Sequence, residues 1–326
     1  MGLSSSSNAW TIPNSGAPVF SSPRDAFRAC WPDNSVDWRG GPPGSPPDRS
    51  NLPVAMIPAQ RNFKNSGMRA PFSAIVITGA SSGLGAALAK AYARPQVALG
   101  LLGRDLQRLE ATARACEAKG ARVTTATVDV TDAPAMASWL CQFDRLCPVE
   151  LLVANAGTSA GPDPESPSEG AEGAGRQIRV NLLGAIDTVE PLLPALCSRR
   201  RGRVAVVASI AAYRGLPYSP GYCASKAGLR AYAEALRPRL EQHNIGVTVV
   251  CPGFFDSPMT DRFDGPTPFL LSSDAAARIV KRGIDRGRRR VAFPLPLVLG
   301  LQFCDLAPAM IGDAILRRYR FRIHPV

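Results

Sequence analysis

Residues 78–85 have the sequence TGASSGLG, and this glycine-rich stretch decides the fold. The apolar, β-branched run Ala74–Thr78 comes directly before it, and an alanine- and leucine-rich helical pattern continues to about Arg94. A glycine-rich turn between a strand and a helix lets a phosphate group approach the backbone closely and places it at the positive end of the helix. The stretch therefore predicts a dinucleotide-binding turn, although its TGxxxGxG spacing is a weak signal when taken alone.

Six further apolar runs alternate with helical patterns along the rest of the chain. The predicted strands are Val97–Leu102, Arg122–Val128, Glu150–Ala154, Val204–Ala208, Gly246–Cys251 and Arg290–Phe293. The longest predicted helices cover residues 172–197 and 220–243. Strands that alternate with helices form parallel sheets with helices on both faces. We therefore predict an α/β fold of the Rossmann type, with a doubly wound parallel sheet of seven strands.

A tyrosine and a lysine, Tyr222 and Lys226, lie four residues apart in the second of these helices and so share one helix face. The chain has only five lysines, which makes the pair informative. An ammonium group beside a phenol stabilises the phenolate, so we expect Lys226 to lower the pKa of Tyr222 towards neutrality. A phenol with such a pKa can act as a general acid or base.

These residues, together with Ser209 at the end of a strand, resemble the short-chain dehydrogenase/reductase family, in its short, single-domain branch. The resemblance covers about residues 72–293 and rests on several motifs that occur in the family's order. The further motifs are Asp129 after the third strand, Ala154-Asn155-Ala156-Gly157, Asn181, and Pro252-Gly253 after the sixth strand. One departure is Ala154, which stands where the family has the first asparagine of NNAG.

The resemblance implies a role for each matching residue. Tyr222 would exchange a proton with the substrate oxygen, Ser209 would hydrogen-bond that oxygen, and Lys226 would bind the nicotinamide ribose. Asn181 would hold a water that links Lys226 to solvent. The implied catalytic residues are Asn181, Ser209, Tyr222 and Lys226. The implied cofactor-binding residues are Gly79, Ser81, Gly83, Leu84, Gly85, Arg104, Asp129, Asn155, Ala156, Gly157, Tyr222, Lys226, Pro252 and Gly253.

The preferred cofactor is predicted from the end of the second strand, where the sequence is Leu102-Gly103-Arg104-Asp105. An acidic side chain at this place binds the ribose 2′-hydroxyl of NAD, whereas a basic one suits the 2′-phosphate of NADP. Arg104 stands where NADP-preferring members of the family have an arginine. Asp105 is interpreted as the N-cap of the next helix, with Arg108 assisting Arg104. NADP(H) is therefore favoured over NAD(H), and a plain surface charge at Arg104 is the alternative.

Composition divides the chain into three parts. Residues 1–67 are rich in Pro, Ser and Gly without periodicity, which predicts a disordered leader; a translation start at Met68 is the alternative. Residues 68–293 form the predicted catalytic domain, and residues 294–326 form a basic, apolar C-terminal extension. The net charge is +12, and residues 275–326 carry 11 basic and 3 acidic side chains. The positive charge therefore belongs mainly to the tail.

The tail leaves two interpretations open. Its apolar residues 291–316 lie between two arginine clusters, and such a segment can bind an anionic membrane surface, here through residues 286–322. Alternatively, the tail forms a helical pair that docks on the domain or on a second subunit. The clusters are Arg286, Arg288, Arg289 and Arg290 on one side and Arg317, Arg318, Arg320 and Arg322 on the other. A nucleic-acid partner is not expected, because the tail has a proline-broken apolar centre and no interleaved aromatic residues for base stacking beyond Tyr319 and Phe321.

Other residue types limit the remaining function classes. The chain has only two histidines, His243 and His324, so we expect no metal site. Its eight cysteines are scattered without a CxxC pair, which predicts reduced thiols and a cytoplasmic protein. Members of the resembling family are commonly dimers or tetramers, so a homodimer or homotetramer is expected.

We predict an NADP(H)-dependent oxidoreductase that interconverts a carbonyl and a secondary alcohol. In the resembling family the segment after Pro252-Gly253 covers the substrate, and here it contains Phe254, Phe255 and Met259, which favour an apolar substrate. Packing residues are the equal alternative for these three side chains. A dinucleotide-binding scaffold without turnover is the alternative function, and the intact catalytic positions count against it.

Overall fold

The computed structural model describes residues 72–162 and 168–324. The strands are β1 Ala74–Thr78, β2 Ala98–Gly103, β3 Arg122–Thr127, β4 Leu151–Ala154, β5 Gly202–Val207, β6 Ile245–Pro252, β7 Phe263–Asp264, β8 Arg290–Phe293 and β9 Arg322–Ile323. Seven of them form one parallel sheet in the order β3-β2-β1-β4-β5-β6-β8. The predicted seven-stranded parallel sheet is confirmed. The predicted leader, residues 1–67, lies outside the described residues.

Helices cover both faces of this sheet. They are α1 Gly83–Tyr92, α2 Leu106–Glu117, α3 Ala133–Leu146, α4 Gly170–Ile178, α5 Gly184–Val189, α6 Leu193–Arg199, α7 Pro220–Glu241, α8 Ser273–Asp285, α9 Leu295–Leu306 and α10 Ala309–Leu316. Ile75 and Ile77 of β1 belong to the apolar layer formed with α1, α2 and α8. Val76 points the other way, into the layer formed with α3, α5, α6 and α7. Because both faces are covered, the central strands are continuously apolar rather than alternating.

The order of the strands locates a binding crevice. The chain passes from β1 outwards to β2 and β3, and then returns to place β4 on the other side of β1. Where the winding direction changes, the loops after the two inner strands diverge and leave a crevice at their carboxyl ends. In this protein that crevice lies after Thr78 of β1 and Ala154 of β4, directly beside the glycine-rich turn.

One long helix that the sequence predicts is interrupted in the structure. The prediction was a continuous helix over residues 172–197, but a π-helical turn, Arg179–Leu183, and a 3₁₀ turn, Glu190–Leu192, divide it into α4, α5 and α6. Pro191 and Pro194 cannot donate helical hydrogen bonds, which accounts for the second interruption. By length and composition the whole run, Gly170–Arg199, could cross a membrane, yet 56% of its most apolar window is buried inside the fold. It is therefore a core helix of the domain.

The tail folds back onto the domain as a helical pair. Helices α9 and α10 pack against each other, and α9 also packs on β8 and on the turn after Ser209. Beyond α10, β9 pairs antiparallel with β7, with Phe263 opposite Ile323. The sequence predicted neither short strand, because two residues carry no detectable periodicity.

Candidate active site

The glycine-rich turn has the shape that a close backbone approach requires. Gly79 has a φ of +66°, and a Cβ added there would lie 2.9 Å from the Cα of Ala156. A Cβ on Gly85 would lie 2.1 Å from the carbonyl oxygen of Gly79, so only glycine fits where α1 packs against the turn. Ser82, the N-cap of α1, makes no side-chain cap hydrogen bond. The first N–H groups of α1 are therefore left for an anion at the positive end of this helix.

The loop after β4 is tied directly to this turn. The side-chain amide of Asn155 donates to the carbonyl oxygens of Thr78 at 2.9 Å and Gly79 at 3.3 Å. In return, the backbone N–H groups of Asn155 and Ala156 donate to the hydroxyl of Thr78 at 3.0 and 3.1 Å. The motif that begins at Ala154 therefore fixes the spacing of β1 and β4 at the crevice. The alanine at 154 does not disturb this arrangement, because its side chain is buried in the core.

Three of the four predicted catalytic side chains meet at the edge of one cavity. Ser209, Tyr222 and Lys226 all line it. The hydroxyl of Ser209 hydrogen-bonds the phenol oxygen of Tyr222 and accepts the backbone N–H of Ala211 at 3.1 Å. The ammonium nitrogen of Lys226 lies 5.8 Å from the centre of the Tyr222 ring and donates to the carbonyl of Val207 at 2.9 Å.

The pKa values of Tyr222 and Lys226 differ from the prediction made from the sequence. Burial raises the pKa of Tyr222 to about 12, and the hydrogen bond from Ser209 opposes that shift. Burial also lowers the pKa of Lys226 to about 8. The prediction that Lys226 brings the Tyr222 pKa towards neutrality is wrong for the chain by itself. The physical reason is that desolvation disfavours both charged forms and that the ammonium group is directed to a backbone carbonyl.

The fourth predicted catalytic residue, Asn181, stands behind the cavity and does not line it. It is fully buried in the π-helical turn, and its side-chain oxygen accepts the N–H of Thr158 at 2.7 Å. Its amide nitrogen donates to the carbonyl of Thr158 and to the hydroxyl of Ser225, each at 2.9 Å. Asn181 therefore fastens the loop after β4 to the helix that carries Tyr222 and Lys226. The water-holding role implied by the resemblance stays a prediction.

Basic residues stand at the other end of the cavity, beyond β2. Arg104 and Arg108 both line it, and both are exposed. Asp105 is the N-cap of α2, as predicted: its carboxylate accepts the N–H of Arg108 at 3.0 Å and also pairs with that guanidinium. Asp129 lies 3.9 Å from Arg104. Partial burial acts to raise the pKa of Asp129, but hydrogen bonds from Thr131 and the charge of Arg104 outweigh it and hold that pKa below its ordinary value.

The cavity brings together nearly all the residues that the sequence singled out. Its volume is about 880 Å³. The predicted cofactor residues that line it are Gly79, Ser81, Gly83, Leu84, Arg104, Asp129, Asn155, Ala156, Gly157, Tyr222, Lys226, Pro252 and Gly253. Gly85 does not line it, because it packs behind Gly79. Phe254, Phe255 and Met259 also line it, while Phe255 packs against the core and Phe254 against Phe263, so the pocket interpretation of these side chains stays a prediction.

The C-terminal tail supplies a wall of the cavity that the sequence reasoning missed. The lining residues from the tail are Pro296, Leu297, Gly300, Leu301, Cys304, Ile315, Leu316, Tyr319, Phe321 and Ile323. Phe321 is buried and stacks on Phe263 with ring centres 4.9 Å apart, and it also touches Tyr218 and Tyr319. Leu297 and Leu301 lie one helical turn apart on α9, and this spacing could have indicated that one face of the helix points towards the cavity. The tail is therefore part of the candidate site.

The described residues contain no group of three or more His, Cys, Asp or Glu side chains that could hold a metal ion. The cavity instead combines a glycine-lined cradle, a helix N-terminus without a side-chain cap, a Ser-Tyr-Lys cluster and an apolar compartment. This donor set fits a dinucleotide across the crevice and an apolar molecule beside it.

Comparisons with known proteins agree with this geometry. Residues 73–265 match the model of the family described as short chain dehydrogenase. An uncharacterized oxidoreductase of Myxococcus xanthus is 36% identical over 247 residues, which is 75% of this chain and 96% of that protein. A short-chain dehydrogenase from Sphingobium yanoikuyae in complex with NADPH is 25% identical, with a TM-score of 0.61, covering 74% of this chain and 91% of that one.

A further solved structure shows the same fold with the other dinucleotide. It is a short-chain dehydrogenase from Mycobacterium paratuberculosis bound to NAD, with 22% identity and a TM-score of 0.62. That comparison covers 69% of this chain and 97% of the mycobacterial chain. The structural neighbours therefore include proteins that hold NADPH and NAD in this fold.

Proposed function

The chain belongs to the short-chain dehydrogenase/reductase family of oxidoreductases, and on this premise we propose that it interconverts a carbonyl and a secondary alcohol with NADP(H) as cofactor. The observation that carries the proposal is the cluster of buried Ser209 and Lys226 with half-buried Tyr222, which opens into one cavity with the glycine-rich turn. When bound, the nicotinamide supplies or accepts the hydride. The residues of the chain provide binding, orientation and the proton.

The proton is held at the phenol oxygen of Tyr222. Because burial raises the pKa of Tyr222 to about 12, the phenol is protonated at neutral pH in the chain by itself. A protonated phenol suits donation to a carbonyl oxygen, so reduction is the direction for which the site is prepared. Ser209 orients the phenol by its hydrogen bond, and it is placed to contact the same substrate oxygen. Lys226 lies beside Tyr222, and because burial lowers its pKa to about 8, it loses a proton more readily than an ordinary lysine.

Preference for NADP(H) over NAD(H) rests on Arg104 and Arg108. Both guanidinium groups line the cavity at the carboxyl end of β2, where a ribose 2′-phosphate would meet them. The carboxylate that follows β2 in the sequence is that of Asp105, which is already engaged by the N–H and the guanidinium of Arg108. A guanidinium group binds phosphate through paired, charge-assisted hydrogen bonds, so two arginines favour the phosphorylated dinucleotide.

The substrate is an apolar carbonyl compound. Aromatic and aliphatic side chains surround the space beside Tyr222, contributed by the loop 254–268 and by the tail. Arg262 is the only charged side chain among the described cavity residues of that loop and the tail, and its guanidinium is directed to the carbonyls of Pro258 and His324. An apolar compartment without a charged group aimed into it favours a substrate that lacks a carboxylate or phosphate.

The test is a reductase assay with the full chain. NADPH or NADH oxidation is followed with steroid, retinoid, quinone and long-chain acyl carbonyls, and with sugar ketones as polar controls. We expect consumption of NADPH with apolar carbonyls, formation of the alcohol by mass spectrometry, and lower catalytic efficiency with NADH. Binding of NADPH without turnover of any carbonyl would instead indicate a scaffold. Equal efficiency with NADH would overturn the cofactor preference alone.

A further inference from the structure

The helical pair α9–α10 presents a continuous apolar face to solvent. On α9 the exposed side chains are Leu295, Leu299, Phe303 and Leu306, spaced so that they form one stripe. On α10 they are Met310, Ile311 and Ile315. Leu306 is 87% exposed and Met310 is 85% exposed. The opposite side of α9 holds the buried residues Val298 and Cys304, so this helix is apolar on both its inner and its outer faces.

In the tail, basic side chains outnumber acidic ones. Residues 295–324 contain only two acidic side chains, Asp305 and Asp313. Both lie next to Arg214 of the catalytic domain, with Nη2 of Arg214 at 2.7 Å from Asp313 and Nη1 at 4.0 Å from Asp305. Arg214 therefore offsets one of the tail's two negative charges, mainly that of Asp313. Arg317, Arg318, Arg320 and Arg322 follow α10 and are exposed, so residues 295–324 carry four arginines against two acidic side chains.

The mouth of the cavity lies on the same side. Ile315 lines the cavity and is also 44% exposed, and Pro296 and Gly300 likewise line the cavity and are exposed. In the loop across the mouth, Pro268 lines the cavity, and the next two residues, Phe269 and Leu270, are exposed. Exposed apolar side chains therefore lie at this part of the cavity rim, whereas the exposed Arg104 and Arg108 lie at the other end of the cavity.

We propose that this face of α9 and α10 docks on an anionic lipid bilayer, with the cavity mouth turned towards the membrane. The α9 helix has 12 residues, so it is about 18 Å long and too short to cross a hydrocarbon core of about 30 Å. An apolar stripe followed by a cluster of arginines is instead the pattern of a segment that lies in the membrane interface, where arginines meet anionic headgroups. Delivery of a membrane-dissolved ketone to the cavity rests on the proposed function, whereas docking itself does not.

The same observations disfavour a second copy of this chain as the occupant. A twofold contact brings the same patch of both copies together, and two copies of a patch with four arginines against two acidic side chains would repel. The structure also shortens the segment that the sequence predicted for membrane contact. Of the first arginine cluster, Arg289 and Arg290 are paired with Glu241 and Glu234 of α7, so their charges are already partnered within the domain. The docking surface is therefore residues 295–322 rather than 286–322.

Vesicle co-sedimentation of the full chain tests the proposal. Vesicles of phosphatidylcholine with about 30 mol% phosphatidylserine are compared with phosphatidylcholine alone. We expect sedimentation with the anionic vesicles, weakened by high salt. The double variant Leu299→Asp/Phe303→Asp, at positions that do not line the cavity, should weaken binding by at least about tenfold. Leu146→Asp, at an exposed leucine on α3, is the matched control and should bind as the unsubstituted chain does.

Charge is tested with a second pair of variants. Arg317→Gln/Arg318→Gln should reduce binding to anionic vesicles several-fold, while Arg286→Gln/Arg288→Gln removes the same charge elsewhere and should not. NADPH binding, measured by fluorescence, confirms that each variant is folded and is independent of turnover. Failure of the unsubstituted chain to sediment with anionic vesicles would overturn the proposal. A concentration-dependent dimer that Leu299→Asp/Phe303→Asp dissociates, without vesicle binding, would assign this face to a second copy instead.

Discussion

The ammonium group of Lys226 donates a hydrogen bond to the carbonyl oxygen of Val207 at 2.9 Å, at the carboxyl end of β5 and two residues before Ser209. This contact links the helix that carries Tyr222 to the strand that precedes the serine. It also holds the Lys226 ammonium group in the protein interior, because this residue is only 3% exposed. A buried lysine with one polar partner loses most of its hydration, which makes its protonation a measurable property of the folded state.

The unfolding free energy should therefore depend on Lys226 in alkaline solution. Burial lowers the pKa of Lys226 from 10.5 to about 8, so between these values the unfolded chain binds the proton and the folded chain does not. Stability relative to a Lys226→Met variant should rise with pH across this window, by up to about 3 kcal/mol. The destabilisation by a buried charge is present below about pH 8 and is relieved above it.

Denaturant unfolding of both proteins from pH 7 to pH 10 measures this difference. The measurement stops there because the raised pKa of Tyr222 lowers the stability of both proteins between pH 10 and about 12. In that range the folded chain keeps a proton that the unfolded chain has released, so stability falls as the pH rises. A difference that is constant from pH 7 to pH 10 would contradict the assignment of Lys226 as a desolvated cation.

Arg104 should determine the preference between the two dinucleotides. Arg104→Ala removes a guanidinium from the cavity wall at the end of β2, and we expect the Kd for NADPH to rise about 10- to 100-fold, the loss typical of charge-assisted hydrogen bonds. The Kd for NADH should change little. Arg114→Ala is the control, because Arg114 is an exposed residue of α2 that pairs with Glu110 outside the cavity. Equal losses for NADPH and NADH would show that Arg104 does not recognise a 2′-phosphate.

Phe321 should control the substrate compartment without affecting the cofactor. Its ring stacks on Phe263 and joins Tyr218 and Tyr319 in one cluster, so Phe321→Ala separates the tail from the loop that carries β7. We expect KM for an apolar carbonyl to rise about tenfold, and the free energy of unfolding to fall by about 3 kcal/mol if the tail unfolds with the domain. Hydrogen exchange of residues 316–324 should accelerate. Phe303→Ala, on the exposed outer face of α9, is the matched control, and an unchanged KM in Phe321→Ala would contradict the tail's role.

Asn181 should contribute mainly to stability. Asn181→Asp removes both N–H donors that reach Thr158 and Ser225 and leaves a carboxylate facing the Thr158 carbonyl. Because the site is fully buried, we expect a loss of about 2–4 kcal/mol in denaturant unfolding. Gln142→Glu makes the same amide-to-carboxylate change at a partly buried residue of α3 with a single hydrogen bond, and it should cost less. Similar stabilities for the two variants would contradict the fastening role of Asn181.

The sequence was sufficient to predict the features that depend on nearby residues. A glycine-rich turn between β1 and α1 is a local arrangement, and its chemistry requires glycine at Gly79 and Gly85 whatever surrounds it. Tyr222 and Lys226 share a helix face because of their spacing alone. Alternation of apolar runs and helical patterns predicted every strand of the main sheet within a few residues, since parallel strands covered on both faces are continuously apolar.

Features formed by distant segments were beyond the sequence pattern. The stacking of Phe321 on Phe263 joins residues 58 positions apart, and nothing local to either marks the contact. The π-helical turn at Asn181 depends on partners in the loop after β4 and in α7. The pKa of Tyr222 was predicted with the wrong sign, because burial cannot be deduced from the spacing of a tyrosine and a lysine.

The central claim is that Tyr222 performs proton transfer in a dinucleotide-dependent reduction. The most direct test compares Tyr222→Phe with the unsubstituted chain in single-turnover reduction of an apolar carbonyl by NADPH, alongside NADPH binding by fluorescence. Tyr218→Phe, which loses a hydroxyl outside the cavity lining, is the control. The account predicts that Tyr222→Phe slows reduction by about 10²- to 10⁴-fold while NADPH binding is retained. Reduction at an undiminished rate in Tyr222→Phe would contradict it.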